Sequence, residues 1–416
     1  MIAPDRHAPT TKEASAHAAW AEAIGHYNRC CLAEAGAAFD RALAENPGHL
    51  ESRLGLARVL RDQGRLDQAL SCCHNAMAAA PDRAEVFTLT GEVLGAMGRG
   101  DQALACLTQA LDLAPQAPGV LLAVGRALES QGDLASAVDF YDRAVKAAGN
   151  GENHVANRRR ALNRLGAGLN RLGQRDKAMA CFQQVLSEDP QNPSARHLLA
   201  ALQGKTPDNI PSDYVKTLFD AFSSGFDRHM TDELAYRTPK QLFEFIEQHL
   251  PPGKKRFAAA IDLGCGTGLS GKAFRHRIDH LTGVDLAPLM IEKARAKGLY
   301  DRLAAGDIGQ FLLDEPGCYD LFIAADVLVY IGNLVPIFAA CHSRAMPGAH
   351  MVFSTESCEN TPYRLMATGR FAHHSTYVRE TASACQWQVT AFSRAHIRKE
   401  GGAWIQGDLF VLTAPA

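Results

Sequence analysis

An acid followed by three alternating glycines, Asp262-Leu263-Gly264-Cys265-Gly266-Thr267-Gly268, closes the apolar run 258–261 and is the segment best suited to chemistry. An apolar run without alternation reads as a strand buried on both faces, which implies a parallel sheet covered by helices. Glycines at the strand-to-helix turn let the backbone bend sharply and let a ligand lie against the main chain, with the next helix offering free N–H groups. A nucleotide-like cofactor would sit there. The same stretch also reads Gly266-Thr267-Gly268-Leu269-Ser270-Gly271, the G-x-G-x-x-G pattern of dinucleotide binders, with Asp285 placed to meet a ribose. The glycines alone leave the cofactor open.

Three further features favour S-adenosylmethionine: Asp262 directly before the glycines, a second buried strand ending Gly283-Val284-Asp285, and a third point at Gly306-Asp307-Ile308. Residues 258–356 continue in order with Tyr319 to Leu328 as a fourth strand, and with Met346-Pro347-Gly348-Ala349 as the turn before a fifth. The set resembles class I S-adenosylmethionine-dependent methyltransferases. The resemblance implies that Asp262, Gly264, Cys265, Gly266 and Gly268 surround the methionine end of the cofactor. It implies that Asp285, with Leu286 beside it, takes the two ribose hydroxyls, that Asp307 and Ile308 read the adenine edge, and that Ala325 and Asp326 form the floor under the methionine. A carboxylate can accept from a vicinal diol, and a positively charged amino group and sulfonium favour an acidic rim. Each acid has an alternative use, since Asp at a strand end also caps the following helix.

Methyl transfer is an in-line displacement, so alignment and exclusion of water dominate and a base is optional. Where an amine or hydroxyl acceptor must lose a proton, His373 and Tyr330 are the catalytic candidates, with His374 and Tyr377 nearby. Upstream, residues 213–230 carry Phe219, Phe222 and Phe226 at helical spacing. With 234–239 they resemble the segment that precedes the catalytic sheet in bacterial methyltransferases bearing repeats, which implies a lid. Tyr236 and Arg237 could hold the methionine carboxylate there, a guanidinium matching it bidentately.

The N-terminal part is repetitive. Pro47, Pro81 and Pro115 recur in step with Ala35, Ala69 and Ala103 and with Ala42, Ala76 and Ala110. The register continues through Ala137, Tyr141, Ala144 and Gly149 and, after an insertion around 150–157, through Gly166, Gly173, Ala178, Phe182 and Pro190. Small residues sit where paired helices cross, bulky ones such as Phe39 and Phe182 fill gaps, and Gly64, Gly98, Gly132 and Gly173 mark the turns. This resembles about five tetratricopeptide repeats, with 193–203 as a capping helix. The Arg158-Arg159-Arg160 run reads as a solvated face.

The expected architecture is an all-α repeat solenoid over 16–205, a linker and helical lid over 206–255, and an α/β Rossmann-like methyltransferase domain over 256–416. Its sheet should have seven strands with an antiparallel last strand held between the fifth and sixth. A chain of 416 residues with 43 basic and 45 acidic side chains argues against nonspecific nucleic-acid or membrane-surface binding. Eleven cysteines without a C-x-x-C pair read as reduced core residues of a cytoplasmic protein. No metal-ligand cluster and no membrane span is expected. The array reads as a groove for a protein or peptide, with homo-oligomerisation or spacing as its other use. The function expected is methyl transfer with a recruited partner or substrate. The alternatives are a small-molecule methyltransferase using the repeats for assembly, and a scaffold with a silent or NAD-binding domain.

Overall fold

The computed structural model describes residues 11–149, 154–222, 226–228, 230–231, 234–251, 253–254, 256–400 and 403–415. Parts of the expected insertion (150–153), of the expected lid (223–225, 229, 232–233 and the Phe222 side chain) and of the hairpin turn (401–402) lie outside them. Two compact units divide at Gly168/Leu169, inside the helix Val155–Arg171.

The first unit consists of antiparallel helix pairs, beginning with Thr11–Asn28 and Leu32–Glu45 and running to Pro118–Ser130 and Leu134–Ala148. The alanines at the repeating positions, 35, 42, 69, 76, 103, 110, 137 and 144, are all buried. Their small size lets paired helices approach closely. Phe39 and Tyr141 fill the space left between helices and are fully buried. The turn glycines Gly64, Gly98 and Gly132 have φ of +79°, +83° and +85°, a left-handed conformation that closes a helix cheaply only without a Cβ. Arg158 departs from the expected solvated face: it is buried and donates to the Gly149 carbonyl, closing the end of the preceding helix.

The second unit opens with the helices Arg175–Glu188 and Pro193–Leu202, the latter capped by Asn192, whose side chain accepts from the Ala195 amide at 3.1 Å. A nine-stranded sheet follows. Its strands are β1 (Phe257–Leu263), β2 (Ile278–Asp285), β3 (Arg302–Ala305), β4 (Tyr319–Ala324), β5 (Ala345–Ser357), β6 (Tyr363–Leu365), β7 (Phe371–His373), β8 (Gln388–Glu400) and β9 (Ala403–Thr413). Strands β3-β2-β1-β4-β5 are parallel, and β9 lies antiparallel between β5 and β8. That is the expected closing hairpin.

The structure adds a short pair: β7 runs parallel to the end of β5, and β6 antiparallel to β7. The residues expected to form a turn before β5 belong to the strand itself, with Gly348 at φ +71° and a register shift opposite 319–321. Both faces of the sheet are covered, one by Phe322, Phe338, Phe353, Trp387 and Phe410, the other by Leu242, Ile246, Phe257, Phe274 and Leu321. This double burial is why β1 and most of β4 are apolar without alternation.

The stretch joining Pro193–Leu202 to the sheet is bonded to it. The Asp208 carbonyl accepts from the amides of Gly332 and Asn333 at 2.9 and 2.8 Å, and the Tyr363 hydroxyl donates to the Asp208 carboxylate at 2.5 Å. Ala201, Ile210, Tyr214, Val215, Leu365 and Phe371 form one apolar cluster against which Tyr330 and Leu286 pack.

Candidate functional site

A cavity of about 720 Å³ opens at the C-terminal ends of β1, β2 and β4, where the strand order reverses around β1 and β4. Open α/β sheets hold ligands at such a point.

The glycine turn after β1 shapes its floor. Gly264 has φ +67°, and a Cβ there would come within 2.6 Å of Val327, so the residue is required by close packing. Gly266, which lines the cavity, has φ +51°, yet a Cβ there would meet nothing within 4 Å and only open space. Gly268 and Gly271 have a different cause. Both face Tyr300, at 3.0 and 2.7 Å from their ideal Cβ positions. The second and third glycines of the G-x-G-x-x-G pattern thus make room for a tyrosine ring.

Tyr300 donates its hydroxyl proton to Asp262 at 2.7 Å and accepts from the Gly271 amide at 3.1 Å. Asp262 is fully buried, and burial pushes its carboxyl up to about 7, with Asp285 adding to the rise and the Tyr300 hydrogen bond opposing it. It lies under the cavity rather than on its wall. Asp285 accepts from the amides of Gly266 and Ala287, each at 2.8 Å, tying the first loop to the second. Asp307 caps the helix Ile308–Asp314, accepting from the Gln310 amide at 2.9 Å. Both acids thus shape loops and also line the cavity.

Asp326 sits just past β4 in a left-handed conformation, φ +59°, uncommon for a residue with a side chain. Its amide donates to Ser354 Oγ at 2.9 Å, and its carboxylate accepts from Arg398 at 2.6 Å. Arg398, on β8 and 1% exposed, also donates to Glu356. Burial raises the Glu356 carboxyl above its ordinary range despite Arg398. One Asp326 oxygen, Oδ1, is buried without a hydrogen-bond partner among the described residues. Tyr236 packs beside it, its hydroxyl held high by burial and by the Asp326 charge.

The structure brings Gly264, Cys265, Gly266, Asp285, Leu286, Asp307, Ile308, Ala325, Asp326, Tyr236 and Tyr330 to one cavity. Gly268 starts the helix Leu269–Phe274 beneath it. Two candidates lie elsewhere. Arg237 is exposed at the start of the helix Thr238–Glu247 and does not line the cavity. His373 is fully buried in β7, and its Nε2 donates to the carbonyls of Ile331 and Gly332 at 2.8 and 3.2 Å. Burial lowers its pKa to about 4, so the ring is neutral and serves the fold rather than a proton transfer at the cavity. Arg370 and Arg398 line the cavity and are absent from the residues expected there. A single Arg in a loop or an alternating strand carries no local signal; only the sheet's closure delivers it.

The expected lid contributes Phe226 and Met230 to the cavity wall. Asp227 anchors it, accepting from Thr267 of the glycine turn and pairing with Lys297. Among the described residues no cluster of metal-ligating side chains occurs, and no helix is long and apolar enough to cross a membrane.

The donor set fits S-adenosylmethionine. Acids at Asp285, Asp307 and Asp326 face a cavity that would receive a diol and a positively charged methionine end, and the backbone at Gly266 leaves room for it.

Parts of the chain are similar to known proteins. Residues 32–93, 88–152 and 160–192 match family profiles described as tetratricopeptide repeat, and 260–348 match one described as methyltransferase domain. The ubiquinone biosynthesis O-methyltransferase of Xylella fastidiosa (strain 9a5c) is 26% identical over 170 residues, which are 39% of this chain and 68% of that protein. Human methyltransferase-like protein 27 is 35% identical over 112 residues, 26% of this chain and 45% of that one. The chain thus spans less than half the length of the human relative. Among solved structures, an N-methyltransferase of Bradyrhizobium japonicum in complex with S-adenosyl-l-homocysteine is similar at 18% identity and a TM-score of 0.39, over 48% of this chain and 98% of that one. A Thermus thermophilus TPR protein is similar at 21% identity and a TM-score of 0.41, over 45% and 98%. This chain carries tetratricopeptide repeats in its N-terminal region and, C-terminal to them, a class I S-adenosylmethionine-dependent methyltransferase domain.

Proposed function

We propose that the protein transfers a methyl group from S-adenosylmethionine to an acceptor, while the repeats recruit a protein or peptide partner. The observation that carries the first half is the cradle at Gly266, open on the ligand side and bordered by Asp285, Asp307 and Asp326. Bound there, the cofactor would supply a methyl group on a cationic sulfur, open to displacement by an acceptor oxygen or nitrogen. Asp285 holds the ribose, Asp307 and Ile308 border the adenine, and Ala325 and Asp326 support the methionine end. Phe219, Phe226 and Met230 exclude water, and Tyr330 is the hydroxyl placed to take or relay an acceptor proton.

A small-molecule acceptor is favoured over a side chain of a folded protein by one feature: Ile210, Val215, Leu218, Phe219, Phe226, Met230 and Leu234 give the cavity a broadly apolar lining. The repeat array then serves assembly or recruitment rather than presenting the acceptor.

Calorimetric titration of the full chain with S-adenosylmethionine and with NADH tests this, using Asp285→Ala as control. Micromolar binding of the first, lost in the variant, is expected. Binding of NADH alone, or of neither, overturns it.

A further inference from the structure

Besides the residues around the glycine turn, Ile210, Val215, Leu218 and Phe219 give the cavity an apolar lining. Phe219 meets the Tyr330 ring edge to face at 5.4 Å. Two guanidinium groups, Arg370 and Arg398, line the same cavity, Arg370 beside Tyr330. Arg398 is paired with Asp326, which lines the cavity too, whereas Glu400, the counter-ion of Arg370, does not line it, so at Arg370 a ligand meets a cation whose carboxylate is off the wall.

The two arginines are not equivalent. Arg398 is committed to Asp326 and Glu356 and is 1% exposed. Arg370 gives one Nη1 donor to Glu400 at 2.9 Å and otherwise neighbours the Tyr330 hydroxyl. A guanidinium has five donors, so some remain for a ligand. Its backbone is fixed on both sides: the Arg370 carbonyl accepts from the Met366 amide at 2.8 Å, and the Gly369 carbonyl accepts from His197 at 2.7 Å. A fixed fork in a cavity with an apolar lining recognises a planar anion attached to an apolar body.

We infer that the methyl acceptor is a compact apolar molecule bearing a carboxylate, and that Arg370 binds this carboxylate. The inference rests on the methyltransferase reading above and deepens it by naming the acceptor's class. Tyr330, next to Arg370, then stands at the same end as the bound acceptor.

The test uses the full chain saturated with S-adenosylhomocysteine, titrated by calorimetry with 6-hydroxy-2-naphthoate and with its carboxamide. The acid is expected to bind at least about tenfold more tightly than the amide, the difference a charge-assisted pair makes. Arg370→Gln should bring the acid down to the amide's affinity, and Arg370→Lys should fall between. Affinity for S-adenosylhomocysteine, measured on each variant, reports that it is folded. Equal binding of acid and amide, a preference that survives in Arg370→Gln, or no binding of either probe to a chain that takes up S-adenosylhomocysteine overturns the inference. A chain that takes up no S-adenosylhomocysteine overturns the methyltransferase reading as well.

Discussion

His197, on the helix that caps the last repeat, donates its Nε2 proton to the carbonyl of Gly369, 2.7 Å away, in the loop between β6 and β7. The histidine is buried, which lowers its pKa, and Tyr214 packs on its ring at 4.5 Å. Gly369 has φ +81°, and a Cβ there would come within 3.0 Å of Leu198, so the approach is as close as a glycine allows. A helix read as the end of a solenoid thus braces the loop that carries Arg370.

His197→Leu should cost about 1–3 kcal/mol, because it strands the Gly369 carbonyl. His197→Gln, which can still donate from an equivalent position, should recover most of that. Urea unfolding gives the stabilities. Amide exchange of the Met366 and Gly369 N–H groups, which close this loop, should quicken in the Leu variant and not in the Gln one.

Arg398 compensates two carboxylates at once, so its removal leaves buried charge. Arg398→Met is expected to destabilise the protein by about 3–5 kcal/mol. Adding Asp326→Asn and Glu356→Gln should restore a large part of the loss, since the neutral triad has no charge to bury. Denaturant midpoints of the single and triple variants decide it; equal midpoints would mean the cluster's charge is immaterial.

His373 gives a pH signature. Its folded pKa, near 4, lies below the ordinary 6.5, so the unfolded chain binds a proton across that window when the folded one does not. Its contribution is fully present above 6.5 and is lost as the pH falls toward 4. Asp262 acts in the opposite sense over part of the same range: its pKa is raised, and its share of stability is lost as the pH rises toward 7. The difference between wild type and His373→Gln isolates the histidine. At pH 5 the wild type should have lost roughly 2 kcal/mol more than the variant, relative to pH 7.5.

Within the repeats, two helical glycines should respond with opposite sign. A Cβ on Gly125 would meet the buried Tyr141 ring at 2.6 Å, whereas one on Gly95 would meet nothing within 4 Å. Gly125→Ala should therefore destabilise by about 1–3 kcal/mol. Gly95→Ala should stabilise by up to about 1 kcal/mol, the helix propensity gain alone. Thermal melts followed by circular dichroism distinguish them.

Much of this fold is legible because its rules are local. The alanines at the helix crossings repeat at fixed spacing, and β1 announces itself by an unbroken apolar run that ends in an acid and a glycine turn. What escapes is whatever the tertiary fold supplies. Tyr300, distant in sequence, is the reason for Gly268 and Gly271. Arg158 looks solvent-facing in a polar run until the Gly149 carbonyl arrives beside it. His373 and Arg370 lie three residues apart, yet only the shorter-range pattern of a histidine pair draws notice. β7 buries that histidine, while the loop before it delivers the arginine to the cavity.

The placement of β9 has a consequence for assembly. β9 follows β8 in sequence but lies inside it, so β8 reaches the sheet only through β9. Until both dock, the long strand β5 offers an unpaired edge, Glu356 has no counter-ion and Asp326 has no Arg398. The repeats mature through contacts between neighbours in sequence, whereas this sheet waits for its outermost hairpin. During that interval the open edge of β5 is a template for a second chain, making the hairpin a guard against aggregation as well as a part of the site.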